Sequence, residues 1–324
     1  MIKVKKSTYE YLLFALLFIL VLLLFTNDYR LLSFNALSVW AVNVAPIVLP
    51  YLILTGLIKN LTLTKKLSKN LGILSSKVFK VSPNIHSALF VSLLCGLPVG
   101  LSEIANLKKD VAIGKVDSIK ASILCSTPSP IFLIASYGRT MCNNVLIGLM
   151  VLSSNIISWF IISFIACRLG GSKTDTPKDV LPTKKRSLNP FYSTVWDSTV
   201  SVLYLGATLS TAYLFIELTY SLNLLTPFIL LINNALKNEQ ISKGVIFGLI
   251  ENTKGLSVIS ASELTLKGIS ACSFISAFGG LSVLMQSVII LKSAKIKTAP
   301  FLLSKFLSAV LSVFISYIIL LIFG

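Results

Sequence analysis

Four groups of glycine, proline and polar residues interrupt segments that are otherwise long and apolar. They are Gly96, Pro98 and Gly100; Ser126, Thr127 and Ser129; Glu251, Asn252, Thr253 and Lys254; and Gly279, Gly280, Ser282 and Gln286. Irregular backbone survives at membrane depth only where it is buried in protein or lines a cavity, because unpaired polar groups in hydrocarbon are costly. We therefore interpret the four groups as the substrate-binding wall of one site halfway across a membrane.

The chemistry of these residues favours a small anion as the ligand. Half-helices that begin at such breaks present free backbone N–H groups and about half a positive charge. The glycines let backbone approach a ligand closely, and the hydroxyl and amide side chains add neutral donors. Lys254 is the candidate for a direct positive charge. As an alternative, Ser282 and Gln286 lie four residues apart on one helical face, a spacing that also suits hydrogen bonds to a neighbouring helix.

Two carboxylates, Glu103 and Glu251, follow or belong to the first and third groups. An ionisable residue at membrane depth is a functional hypothesis by default. We therefore interpret both as candidates for binding a coupling proton or sodium ion, with Glu251 as the stronger one. The alternative for Glu251 is a structural ion pair with Lys254.

The composition of the chain sets the class of protein in which these groups must work. Its 324 residues are 55% hydrophobic and 13% charged, with a mean hydropathy of +0.86, which predicts a multi-pass membrane protein. The formal net charge of +17 lies in loops between apolar runs, and no nucleic-acid motif accompanies it. The sequence therefore predicts no nucleic-acid partner.

The apolar runs predict an all-α protein with an ordered series of segments. Residues 1–33 hold an N-terminal transmembrane span, residues 8–26, and an outer turn, and residues 168–190 form a basic cytoplasmic linker. Residues 34–167 form a first repeat, with a re-entrant hairpin at 85–106 and a broken span at 118–138. Residues 191–324 form a second repeat, with a re-entrant hairpin at 245–262 and a broken span at 267–291.

Both repeats read as span, amphipathic segment, broken hairpin, broken span and span. Because the second repeat begins on the opposite side of the membrane, the two repeats have inverted topology, as in many secondary transporters. The excess of Lys and Arg in cytoplasmic loops supports this orientation. With the N-terminus in the cytoplasm, most of the 29 Lys and Arg residues, Lys305 among them, fall on the cytoplasmic side.

Four strings carry a family resemblance: CGLPVG, CSTPSPIF, GLIENTKG and AFGGLSVLMQ. From about residue 40 to residue 320 the chain resembles the YlbJ-type (SpoVV-type) sporulation integral membrane proteins, which carry the nucleoside-recognition or Gate domain. The resemblance implies a transporter that moves dipicolinic acid from the mother cell across the outer forespore membrane. It also implies a distant similarity to the inverted repeats of concentrative nucleoside transporters. The CSTPSPIF string departs from the asparagine-rich family pattern, which bears on the identity of the substrate.

Other functions remain as alternatives to dipicolinate transport. A nucleoside-like or other small-metabolite transporter would keep the same fold, and a non-transporting scaffold or regulatory gate would pack the four breaks without a hydrated cavity. The single histidine and the absence of HExxH and GxSxG motifs argue against an enzyme. We therefore expect no metal and no cofactor. The expected partners are a small anionic substrate and the lipid bilayer, and the apolar surface is also compatible with a homodimer.

Overall fold

The computed structural model describes residues 26–58, 62–169, 190–262 and 265–323, and in these ranges the chain is helical without any strand. In chain order the helices are α1 Thr26–Val39, α2 Ala45–Ile58, α3 Thr62–Phe79, α4 His86–Cys95, α5 Val99–Lys109, α6 Lys115–Leu124, α7 Phe132–Met141, α8 Val145–Leu169, α9 Pro190–Ser221, α10 Thr226–Leu236, α11 Glu239–Ile250, α12 Asn252–Ser260, α13 Leu266–Phe278, α14 Gly280–Ser293 and α15 Ala299–Phe323. The predicted first span at 8–26 and the linker at 168–190 lie almost entirely outside the described residues.

Five stretches of the described chain are long and apolar enough to cross a membrane. They are Arg30–Ile58, Val145–Leu169, Phe191–Ser221, Leu266–Ser293 and Ala299–Ile322. The first joins α1 and α2 through a π-helical turn, Trp40–Val44, and the fourth joins α13 and α14. The expectation of an all-α membrane protein with several spans is confirmed.

Two pairs of short helices correspond to the predicted hairpins. Helices α4 and α5 pack against each other on either side of residues 96–98, and α11 and α12 do so on either side of Glu251. Each of these helices is shorter than the roughly 20 residues that a helix needs to span a bilayer. The second pair begins earlier than the predicted residue 245, because the side chain of Asn238 accepts the Ile241 N–H at 3.0 Å and starts α11 at Glu239.

The two remaining breaks differ in length. Between α6 and α7 the chain is irregular from Cys125 to Ser129, and α7 itself is π-helical. Between α13 and α14 the break is a sharp turn at Gly279 and Gly280, whose φ angles of 90° and 74° lie in the left-handed region. Glycine adopts such angles without the steric penalty that a Cβ brings.

Helices of the first half pack on helices of the second half in matched pairs. Helix α5 contacts α14, while α12 contacts α7; helix α8 contacts α13, while α15 contacts α6. Each contact therefore has a counterpart in which the two halves exchange roles. Helix α2 also packs against α9.

The buried apolar residues form clusters that mix the two halves. One cluster combines Leu101 and Ile104 of α5 with Leu284 and Leu291 of α14. A second cluster combines residues of α7 and α8 with residues of α11 to α13. The two halves therefore share their cores rather than forming separate bodies.

Candidate functional site

All four breaks meet at one cavity of about 140 Å³. Its wall includes the turn between α4 and α5, the irregular segment before α7, the turn between α11 and α12, and the break between α13 and α14. Side chains from α1–α2, α9 and α15 complete it. The lining residues are Val44, Val48, Cys95, Leu97, Thr127, Pro128, Ser129, Phe132, Leu133, Leu205, Thr208, Leu209, Glu251, Asn252, Thr253, Ser276, Gly279, Ser282, Val283, Gln286 and Lys305.

The structure brings eight of the fourteen predicted binding residues into this wall: Thr127, Ser129, Glu251, Asn252, Thr253, Gly279, Ser282 and Gln286. It does not bring in Gly96, Pro98, Gly100, Ser126, Lys254 or Gly280, and the coupling candidate Glu103 on α5 does not line the cavity either. The predicted residues outside the wall include glycines whose positions are explained by close backbone packing.

Two of those glycines allow each hairpin turn to contact a break. A Cβ added to Gly96, whose φ is 72°, would lie 2.9 Å from the Cα of Ser129, and a Cβ on Gly280 would lie 2.9 Å from the backbone nitrogen of Asn252. The turn of the first hairpin thus packs against the irregular segment between α6 and α7, and the turn of the second hairpin packs against the break between α13 and α14. Glycine at these positions sets how near the breaks come to one another.

Hydroxyl groups fix the first break against the first hairpin. The Oγ atoms of Ser92 and Thr127 lie 2.8 Å apart, and the Thr127 hydroxyl also donates to the carbonyl of Ser92. The Ser126 hydroxyl donates to the carbonyl of Ile123 at 2.6 Å, within its own chain turn. Ser126 therefore closes the end of α6, whereas Thr127 joins two elements of the cavity wall.

Glu251 begins helix α12, and its carboxylate caps that helix. The residue is 3% exposed, and its Oε2 accepts the backbone N–H of Lys254 at 2.7 Å. An acidic side chain at this position complements the positive end of the helix dipole. The bond holds the carboxylate in the turn where the hairpin meets the cavity.

The ammonium of Lys254 pairs with a residue other than Glu251. Its Nζ lies 2.6 Å from Oε1 of Glu217 on α9, and it also lies 3.8 Å from the ring centroid of Tyr213. The suggested Glu251–Lys254 ion pair is therefore replaced by a pair with Glu217. Lys254 does not supply the positive charge of the cavity wall.

Gln286 makes the predicted bond to a neighbouring helix and also lines the cavity. Its Nε2 donates to Oγ1 of Thr208 at 2.9 Å. Thr208 donates its own hydroxyl hydrogen to carbonyls of α9, with oxygens at 3.0 Å, so its oxygen can only accept from Gln286. This fixes the orientation of the amide and leaves Gln286 Oε1 without a hydrogen-bond partner among the described residues.

Lys305 supplies the positive charge that sequence reasoning assigned to Lys254. It lies on α15, is 4% exposed, lines the cavity and has no ion-pair or hydrogen-bond partner in the described part of the chain. The charge count that placed Lys305 among the cytoplasmic lysines is corrected, because the residue lies inside a candidate span. Its signal in the sequence was a lone lysine within an apolar run.

The electrostatics of the cavity are therefore mixed. Lys305 brings an ammonium, Glu251 brings a carboxylate, and α14 begins at Gly280 without a side-chain cap on its backbone N–H groups. Buried charges without partners are costly, so the ammonium and the uncapped helix start both favour an anionic ligand.

The chain aligns over 306 residues, at 23% identity, with the sporulation integral membrane protein YlbJ of Bacillus subtilis strain 168. The chain resembles YlbJ. The alignment covers 86% of this chain and 74% of YlbJ. No family model matches the chain, and no solved structure matches it. The likeness to YlbJ and the five apolar stretches agree that the chain is a multi-pass integral membrane protein.

Proposed function

We propose that this protein transports a small organic anion, with dipicolinate as the first candidate, across the outer forespore membrane during sporulation. The observation that carries the proposal is the buried ammonium of Lys305 in a cavity where four helix breaks meet. The sporulation setting rests on the likeness to YlbJ, and dipicolinate rests on the family resemblance in the sequence strings.

The ammonium of Lys305, which has no partner among the described residues, favours an anion over a neutral ligand. A cation away from water is strongly disfavoured unless an opposite charge or hydrogen-bond acceptors surround it. A bound carboxylate would supply that partner, and the N–H groups at the start of α14 would share its charge. A neutral nucleoside-like ligand would leave the charge of Lys305 uncompensated. A scaffold in which the breaks are packed together would not require a cavity that contains two ionisable groups.

Two inverted repeats provide a physical route for transport. The reciprocal contacts between α5 and α14 and between α12 and α7 are those expected if a pseudo-two-fold axis relates the halves. In this arrangement the short pairs α4–α5 and α11–α12 are re-entrant hairpins, and rocking of the repeats exposes the cavity to each side in turn. Glu251 is the proposed site for a coupling proton or cation; Glu103, outside the wall, is the weaker candidate.

The transport proposal is tested by uptake into reconstituted vesicles. Purified protein in liposomes is expected to accumulate labelled dipicolinate faster than empty liposomes, and to do so in a saturable manner. The absence of flux for dipicolinate and for nucleosides, from protein that unfolds cooperatively on heating, would contradict the proposal.

The role of Lys305 is tested by Lys305→Gln. We expect uptake to fall by at least about tenfold, because the substrate loses a buried charge partner worth more than 1.4 kcal/mol. The ligand-free variant should unfold at the same or a higher temperature, since an uncompensated buried charge has been removed. The matched control is Lys297→Gln, at an exposed lysine just before α15, which should leave uptake unchanged.

A further inference from the structure

The cavity wall holds acceptor oxygens that lack a donor. Gln286 Oε1 and Asn252 Oδ1 are both buried, and neither has a hydrogen-bond partner within the described ranges. Both residues line the cavity, and Gln286 as a whole is 5% exposed. Buried polar atoms of this kind are nearly always satisfied, so a ligand that enters the cavity is expected to present a donor to them.

Because of the orientation of the Gln286 amide, the ligand group that pairs with it must be a hydrogen-bond donor. Because the Thr208 hydroxyl gives its hydrogen to α9, the amide nitrogen of Gln286 is committed to Thr208 and only the oxygen remains. Asn252 is the first residue of α12, and its buried Oδ1 also has no partner among the described residues. No hydrogen bond fixes the orientation of its amide, so Gln286 carries the requirement for a donor. A ligand group that has only acceptor oxygens cannot pair with either atom.

The charges around the cavity also favour a ligand with a donor over one with a second ionised carboxylate. Lys305 is the basic residue of its wall and Glu251 the acidic one, while Lys254, three residues after Glu251, is neutralised by Glu217. Glu251 accepts a backbone N–H at a helix start, so its Oε2 already serves as an acceptor in the wall. One ligand carboxylate has a partner in Lys305, whereas a second ionised carboxylate would meet Glu251 and two amide oxygens.

We propose that the cavity selects a mono-anion that carries one carboxylate and, apart from it, one hydrogen-bond donor. The carboxylate pairs with Lys305, and the donor pairs with Asn252 Oδ1 and Gln286 Oε1. For a dicarboxylate such as dipicolinate, the species that binds is the singly protonated form. The proton then crosses the membrane on the substrate itself, and of the two roles proposed for Glu251 only the binding of a coupling cation other than a proton remains. This inference rests on the proposed transport function and names the chemical form of its substrate.

Two analogues of dipicolinate test the inference in proteoliposomes. 6-Carbamoylpyridine-2-carboxylate keeps one carboxylate and has amide N–H donors, whereas the monomethyl ester keeps one carboxylate and has no donor at that end. We expect the amide to compete with dipicolinate uptake at least about tenfold better than the ester, because a site built around hydrogen bonds rejects an analogue that lacks the partner. Equal competition by the two analogues would overturn the inference.

The pH dependence of uptake separates a proton on the substrate from a proton on the protein. Dipicolinate uptake should rise by up to about tenfold for each unit by which the pH falls, as the singly protonated form becomes more abundant. Uptake of the labelled amide should stay constant over the same range, because its single carboxylate remains ionised. Amide uptake that rises in parallel would assign the titrating group to the protein and overturn the inference.

Substitutions test whether the side-chain oxygens of Gln286 and Asn252 cause the preference for the amide over the ester. Gln286→Leu and Asn252→Leu are expected to reduce the preference for the amide over the ester to about twofold or less, since the acceptor has been removed. Asn234→Leu, at an exposed asparagine of α10, is the matched control and should keep the full preference. If the wild-type protein moves dipicolinate but the variants retain the full preference, this inference fails while the transport proposal stands; if no probe crosses, the transport proposal itself fails.

Discussion

Two ionisable side chains line the same cavity, and they differ in whether another residue of the described chain binds them. Glu251 is held by the backbone N–H of Lys254, while Lys305 has no partner among the residues that the structure describes. A satisfied carboxylate is a fixed part of the wall. An unsatisfied ammonium is available to a ligand, and for that reason we give it the main role in binding.

The charge of Glu251 can be removed while its cap is retained. Glu251→Gln keeps a side-chain oxygen that can accept the Lys254 N–H, so we expect the free energy of unfolding to change by less than about 1 kcal/mol. The pH dependence of dipicolinate uptake should weaken, because a second substrate carboxylate no longer meets a negative charge. Uptake measured across a pH series checks this, with Glu239→Gln at the exposed start of α11 as the control. An unchanged pH profile would remove Glu251 from the mechanism.

The sequence pointed to eight residues that line the cavity but not to its cation. Residues such as Asn252 and Gln286 were predictable because they interrupt apolar segments. Lys254 was a misleading choice, since its partner Glu217 lies on a different helix that no local spacing reveals. Lys305 was missed because α15 otherwise reads as a plain span, and only the packing of α15 shows that this lysine faces the cavity.

Among the helices, the break between α13 and α14 is made by two glycines with different surroundings. A Cβ on Gly279 would meet no atom within 4 Å, whereas one on Gly280 would lie 2.9 Å from the backbone nitrogen of Asn252. Both residues have left-handed φ angles, so a side chain at either position is strained. Only at Gly280 does a side chain also push the second hairpin away from the break.

Alanine substitutions distinguish strain from displacement. Gly279→Ala should lower the free energy of unfolding by about 1 to 2 kcal/mol, the cost of a left-handed angle for a residue with a Cβ. Gly280→Ala should cost more and should also reduce dipicolinate uptake further, because Asn252 moves with the hairpin. Thermal unfolding in detergent together with uptake provides the comparison. Equal effects of the two substitutions on both measurements would contradict the proposed contact.

The breaks that separate the short helices of each pair could be predicted from their central glycine, proline and charged residues, but one helix boundary could not. Helix α11 begins at Glu239 because Asn238 caps it, and the apolar pattern alone suggested a start at residue 245. The short apolar stretches fix where a helix must break, while a cap fixes where it begins. The π-helical form of α7 depends on tertiary packing and has no clear signal in the sequence.

Across the whole molecule, the reciprocal contacts of the two halves agree with the repeated order of segments in the sequence. That order was predicted from hydropathy and charge, because spans and basic loops leave a compositional signal. Hydropathy and charge could not predict that the halves share their cores or which residues of the four breaks contact one another. Those features arise from pairings between residues far apart in the chain, such as Gly280 with Asn252. That the breaks surround one site was predicted instead from the glycine, proline and polar residues that interrupt the apolar segments.

The predicted orientation can be tested by labelling single cysteines. In a variant whose five native cysteines are replaced by serine, Arg139→Cys should react with a membrane-impermeant maleimide in intact cells. Lys297→Cys should react only after the membrane is permeabilised, because the positive-inside rule places its basic loop in the cytoplasm. Both positions are exposed in the structure, so accessibility depends on the membrane side. Labelling of both from the same side would contradict the predicted topology.

The ion pair between Lys254 and Glu217 also has a mechanical meaning. It joins the second hairpin to α9, and Tyr213, one turn before Glu217 on the same helix, lies within 3.8 Å of the same ammonium. Separating the hairpin from α9 would part opposite charges that are largely shielded from water and would remove the ammonium from an aromatic ring. The two contacts together therefore hold the second hairpin against α9.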